Sequence, residues 1–144
     1  MSRDLSSAIE AEVQTNSIIP YFLSKINTNA GDVLTWSGYG DFISTVAGST
    51  DTYIGVGELG VITNVQESTD LAARGMSLSL SGIPSARISQ ALSELEQGRL
   101  VQVFMGFFDD STRLPIATEF EIFTGVVDVP SISESGSNAT ITIA

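Results

Sequence analysis

The alternation of apolar and polar residues changes rhythm along residues 75–108, and this stretch organises the chain. Met76, Leu78 and Leu80 alternate with Ser77, Ser79 and Ser81, the period of a strand with one buried face. The period then lengthens. Ile88, Ala91, Leu92 and Leu95 fall at i, i+3, i+4 and i+7, which is one stripe of a core helix over residues 85–97. Pro84 or Ser85 opens that helix and Gly98 stops it. Leu100–Phe108 is apolar on both faces, as in a central strand covered on both sides. Leu78, Leu80, Ile88, Leu92, Leu95, Val101 and Val103 are therefore expected to be buried together.

The rest of the chain reads as short strands. Leu5, Ala8, Ile9 and Val13 form one more apolar stripe, so residues 3–14 read as an amphipathic helix capped by Ser2, with Asp4 in its first turn. It packs either on its own domain or, as an arm, on a neighbouring subunit. Ile18–Ile26 and Val33–Trp36 read as a hairpin around a turn cluster, and Pro20 restricts the first strand to an edge or to an opening position. Ser37–Asp41 is a flexible tract with an exposed aromatic residue, Phe42–Val46 a short strand, Ala47–Asp51 a loop, and Val61–Gln66 a strand. Asp109–Arg113 is a turn, Glu119–Val129 a long strand with a bulge at Gly125, and Ser131–Asn138 a hairpin loop region. Ala139, Ile141 and Ile143 alternate with Thr140 and Thr142, so the sequence stops inside a strand and leaves room for a longer protein of which this is the N-terminal part. The expected fold is mainly β (α+β): an antiparallel β-sandwich or barrel with one core helix and a short N-terminal helix, in a single domain over residues 1–144.

Composition narrows the chemistry. Apolar residues make up 42% of the 144 positions, enough for a core. Six basic against 17 acidic residues give a formal charge of -11, and Lys25 is the only lysine. Such a surface repels phosphate, which argues against specific nucleic-acid binding and against docking on anionic lipid. The chain has no cysteine and no histidine, which removes disulfides, thiolate metal sites and the commonest general base. No leader pattern and no apolar run near the ~20 residues of a membrane span is present, so the chain reads as soluble, cytoplasmically made and without a stable membrane anchor.

The remaining motifs are weak. Gly55, Gly57 and Gly60 match a G-x-G-x-x-G pattern, but a strand pattern follows where a dinucleotide site needs a helix N-terminus. A glycine-rich turn or bulge is the expected reading. The carboxylate pairs Asp109 and Asp110, Glu94 and Glu96, and Glu119 and Glu121 could serve an acidic hydrolase only if a cleft brought two of them together. Glu119 and Glu121 share a strand face that is expected to be solvated, and Asp109 and Asp110 suit a turn. No calcium-loop series surrounds them, and no nucleophile elbow is present. No catalytic, cofactor or metal residue is assigned. Trp36, Tyr39 and Tyr53 are the aromatic residues that a carbohydrate-binding sandwich would stack on sugar.

The order of the pieces resembles a family. The N-terminal apolar helix is followed by Ile19-Pro-Tyr-Phe-Leu23, Leu34-Thr-Trp-Ser-Gly-Tyr-Gly-Asp41, Tyr53-Ile-Gly-Val-Gly-Glu-Leu-Gly60, Glu67-Ser-Thr-Asp-Leu71, Leu78-Ser-Leu-Ser-Gly-Ile83, Gln97-Gly-Arg99 and Ile122-Phe-Thr-Gly125. Over nearly the whole chain this is similar to the N-terminal region of tail-tip proteins, of hub or distal-tail type, from long-tailed bacteriophages and gene transfer agents. The resemblance implies a non-enzymatic structural virion protein. It would assemble in the host cytoplasm into a ring of its own copies at the tail or baseplate, contacting tube, tape-measure, tip or fibre proteins. Acidic loops, with Asp109, Asp110 and Gly38–Asp41 as candidates, are expected to face a channel.

Overall fold

The computed structural model describes residues 6–15, 17–46, 48–55, 59–60, 78–80, 97–127, 131–135 and 138–143. Among them the chain is mostly β, with one short helix, α1 (Ser7–Val13). The strands are β1 (Ile19–Thr28), β2 (Gly31–Trp36), β3 (Asp41–Val46), β4 (Ser49–Gly55), β5 (Leu59–Gly60), β6 (Leu78–Leu80), β7 (Leu100–Phe108), β8 (Phe120–Val126), β9 (Ser131–Ser135) and β10 (Asn138–Ile143). They form a six-stranded sheet, β3-β4-β2-β1-β7-β8, and a four-stranded sheet, β5-β6-β10-β9. The expected core helix at 85–97 lies outside the described residues up to residue 96, with Gln97 in a turn, and the expected strand Val61–Gln66 lies outside them entirely.

The hairpin read from 18–36 is present. β1 and β2 pair antiparallel from Leu23 opposite Trp36 to Thr28 opposite Gly31. Pro20 sits where β1 pairs with β7 but not yet with β2, so its missing N–H breaks no ladder bond on the β2 side. β7 is the central strand that its unbroken apolar run requires, with β1 on one side and β8 on the other.

Several expectations change. The sheet is mixed rather than antiparallel, because β2 and β4 run parallel through Thr35–Ile54 and Trp36–Gly55. Only Ile9 of the described α1 stripe is buried, and Val13 is exposed. The stretch from Ser49 to Asp51 is strand, and so is Ser131–Ser135; their polar, β-branched or alternating residues pair well without being strongly apolar. The irregularity in β8 lies opposite Val103 and Phe104, not at Gly125, which pairs in register with Val101. Gly125 lacks a side chain because the Phe123 ring occupies that space.

The large sheet curls into a half-barrel. Strands spaced about 4.8 Å apart would put β1 and β3 ~14 Å apart in a flat sheet. Instead the rings of Tyr21 on β1 and Phe42 on β3 lie 5.3 Å apart, centroid to centroid. The concave side holds a core of Tyr21, Leu23, Val46, Tyr53 and Phe104, flanked by Leu34, Trp36, Phe42 and Phe108. The other side of β1 and β7 is buried too, through Ile26, Val101, Val103 and Phe107. Val101 and Val103 thus join a core as expected; the other members of that expected cluster lie outside the described side chains. A glycine makes the inner packing possible. A Cβ on Gly106 would stand 2.5 Å from the Tyr21 ring, its register neighbour on β1.

Candidate functional site

One end of the half-barrel is built from rings and tight loops. Tyr21 stacks on Phe108 at 4.2 Å, Trp36 leans on Phe42 at 5.1 Å, and Phe108 meets Phe42 edge-on at 6.0 Å. Offset and edge-on pairs of this kind are favoured by the ring quadrupoles. The loop after β2 is fastened to this cluster. The Ser37 hydroxyl accepts from Phe22 N–H at 2.9 Å, and Ser37 N–H donates to the Phe22 carbonyl at 3.0 Å. Trp36 Nε1 donates to the Gly40 carbonyl at 2.8 Å, and the Gly55 amide donates to the same oxygen at 2.8 Å. A side chain at Gly55 would run into the backbone of Gly38 and Gly40. The first glycine of the G-x-G-x-x-G pattern therefore lets two loops touch. Gly40 itself has a φ of 75°, a turn conformation open to glycine.

This clamped loop holds Tyr39 out into solvent, 86% exposed. The 109–114 loop leaves β7 directly from Phe108, at the same end. Asp109 Oδ1 accepts from the amides of Ser111 and Thr112 at 2.9 and 2.8 Å, the local turn bonding expected of it. The Thr112 and Ser111 amides hold its carboxyl below the usual range. Arg113, in a left-handed conformation at φ 58°, pairs loosely with Asp110 at 3.7 Å. Leu114 beside it is exposed, as are Ile18 just before β1 and Ile54 near the end of β4. Gly38–Asp41 and Asp109–Arg113, the two acidic loop candidates, are thus brought to one end, around an apolar tip.

Inside the curl lies a polar group that the sequence did not announce. Glu119, just ahead of β8, accepts from the Tyr21 hydroxyl at 2.5 Å and from the Ser44 hydroxyl at 2.6 Å. Since β3 and β8 are the outer strands of this sheet, the Ser44 contact bridges its two edges. Burial, and then the Glu119 hydrogen bond and charge, push the Tyr21 hydroxyl far above its ordinary pKa. Glu119 is therefore not on a solvated face, which corrects the expectation for it. Glu121 instead accepts from Gln102 Nε2 at 2.9 Å. Lys25 lies between Asp51 at 3.2 Å and Asp32 at 3.3 Å. Burial opposes its charge, yet the two carboxylates outweigh it and raise the pKa.

The sugar-stacking trio does not share a platform. Tyr53 is fully buried, Trp36 is packed among rings, and only Tyr39 stands free. For a hydrolase, Glu119 has both oxygens engaged and Asp109 serves its own turn. Among the described residues no three acidic, histidine or cysteine side chains group to hold a metal, and no helix is long and apolar enough to cross a membrane. No protein-family model matches the chain, and no curated protein matches it.

What sequence reasoning missed is the inner knot and the exposed Leu114 and Ile18. A usable signal existed for the knot. A glycine inside the apolar run of β7 marks close approach by a partner side chain, and Tyr21 is that partner.

Proposed function

We propose that this chain is a structural subunit of the tail tip of a long-tailed bacteriophage or related particle. It packs with its own copies in a ring of hub, baseplate or distal-tail type, joining the tail tube to the tip. The observation that carries the reading is the loop end. Tyr39 stands in solvent on a loop tied down at Ser37 and Gly40, with Leu114, Ile18 and Ile54 exposed at the same end. A tyrosine carried on a fastened loop costs little backbone entropy on contact and suits a protein interface. The order of motifs resembling tail-tip proteins supports the same reading. So does the single lysine, which is spent on a central strand between two aspartates rather than guarding a sheet edge.

In this reading the four-stranded sheet covers the convex side of the large one, and the domain is a sandwich. Support comes from β1 and β7, which bury both of their faces. Asp41 and Asp110, exposed at the loop end, line or border a channel, where like charge keeps passing DNA from sticking. Tube, tape-measure, tip or fibre proteins are the neighbours.

Electron microscopy of the assembled protein tests this. Closed rings with the loop end at the subunit contacts or the lumen are expected. Isolated monomers in the intact particle would end the ring reading. A lumen lined by Arg3, Arg74, Arg87, Arg99 or Arg113, with the carboxylates outside, would end the channel reading alone.

A further inference from the structure

We propose that the concave core binds one internal water between Tyr53, Asp51 and Glu119, and that this water joins two separate polar knots into a single network tying the edges of the curled sheet together. The two knots are Tyr21–Glu119–Ser44 and Lys25–Asp32–Asp51. Tyr53 lies between them. It follows Asp51 by two residues on the same face of β4, and its register neighbour Phe42 precedes Ser44 by two on β3. The side chain is fully buried, and its hydroxyl has no hydrogen-bond partner among the described residues.

A buried hydroxyl without a partner is costly and is seldom left so. This one keeps its proton. Burial, followed by the charges of Asp51, Glu119 and Asp32, pushes its pKa up to about 12. It is therefore a donor in need of an acceptor, in a place where the acceptors are carboxylates already turned towards other donors. A water accepts from Tyr53 and donates its two protons to Asp51 and Glu119. That makes three bonds, the usual number for a buried water. A metal ion is a poorer fit, because no group of three metal-ligating side chains is present among the described residues. An anion would be repelled by the same carboxylates.

Tyr53→Phe in the full chain gives opposite signs for the two cases. If the hydroxyl is an orphan, its removal raises the urea midpoint of unfolding. If it holds a water in a network, its removal lowers the midpoint. A high-resolution structure of the wild-type protein decides the same point independently, including the case where Tyr53→Phe fails to fold. The expected result is a lowered midpoint and one ordered water within hydrogen-bond distance of Tyr53 Oη and of at least one of the two carboxylates. An unchanged or raised midpoint, a dry site, a bound ion, or a direct bond from Tyr53 to a protein group would overturn the proposal.

Discussion

The two ends of the half-barrel's inner face are held by different forces. At the loop end, four rings from β1, β2, β3 and β7 interlock, and the polar bonds there run mostly to backbone, with the Tyr21 hydroxyl donating to Glu119. Towards the β1–β2 turn, the face is ionic: Lys25 between Asp32 and Asp51, Asn27 Nδ2 donating to Asp32 at 2.8 Å, and Gln102 donating to Glu121. Ring packing is indifferent to salt and pH, whereas part-exposed ion pairs answer to both. The difference teaches where a contact surface can be carried. A tip built on rings keeps its shape under changing solution conditions.

The largest effect is expected at the ring end. Gly106→Val forces the Tyr21 ring out of place and breaks its bond to Glu119, destabilising the fold by about 3 kcal/mol. Urea unfolding checks this, and a loss no greater than at an exposed glycine would show that the rings are loosely packed. Next comes Glu119→Ala, which leaves two buried hydroxyls unpaired and costs about 2–3 kcal/mol. Lys25→Met removes a pair that still reaches solvent and costs about 1 kcal/mol, less in high salt. If Lys25→Met proved as damaging as Glu119→Ala, the contrast between the two ends would fail.

The pH dependence draws on groups at both ends. Asp51 is held below its ordinary value of 3.8 by the Ser49 hydroxyl and by Lys25. A depressed carboxylate gives stability that is present above the unfolded pKa and lost as pH falls through the folded one. Tyr53, Tyr21 and Lys25 are all raised. Their stability is present below about pH 10 and is lost as pH rises through the folded values. Unfolding midpoints should therefore form a plateau with losses only on the strongly acid and alkaline sides. The chain has no histidine, so a loss beginning between about pH 6 and 7 would contradict this account.

Much of the large sheet was legible in the sequence, because apolar alternation is a local signal. The β1–β2 hairpin, β3, the central place of β7 and the Asp109 turn follow from it. The curl was not legible, since it depends on which distant residues meet. Glu119 looked like an outward-facing residue beside Glu121, and only the approach of Ser44 and Tyr21 turns it inward. The parallel β2–β4 pair was hidden for the same reason: strand direction within a sheet is set by topology, not by residue pattern. Tyr39 was expected to be exposed on a flexible tract. It is exposed, but its loop is tied down by bonds from Trp36 and Gly55 that no local rule predicts.

The smallest effect on stability is expected at the residues proposed as the subunit contact. Tyr39→Ala combined with Leu114→Ser touches only exposed side chains and should shift stability by no more than about 0.5 kcal/mol per site. Sedimentation velocity of the wild-type protein and this double variant is the most direct test of the loop end as the subunit contact. The account predicts a ring-sized species for the wild type and a monomer for the variant, with equal unfolding midpoints. A wild type that stays monomeric at every concentration, or a variant that assembles as the wild type does, would contradict it.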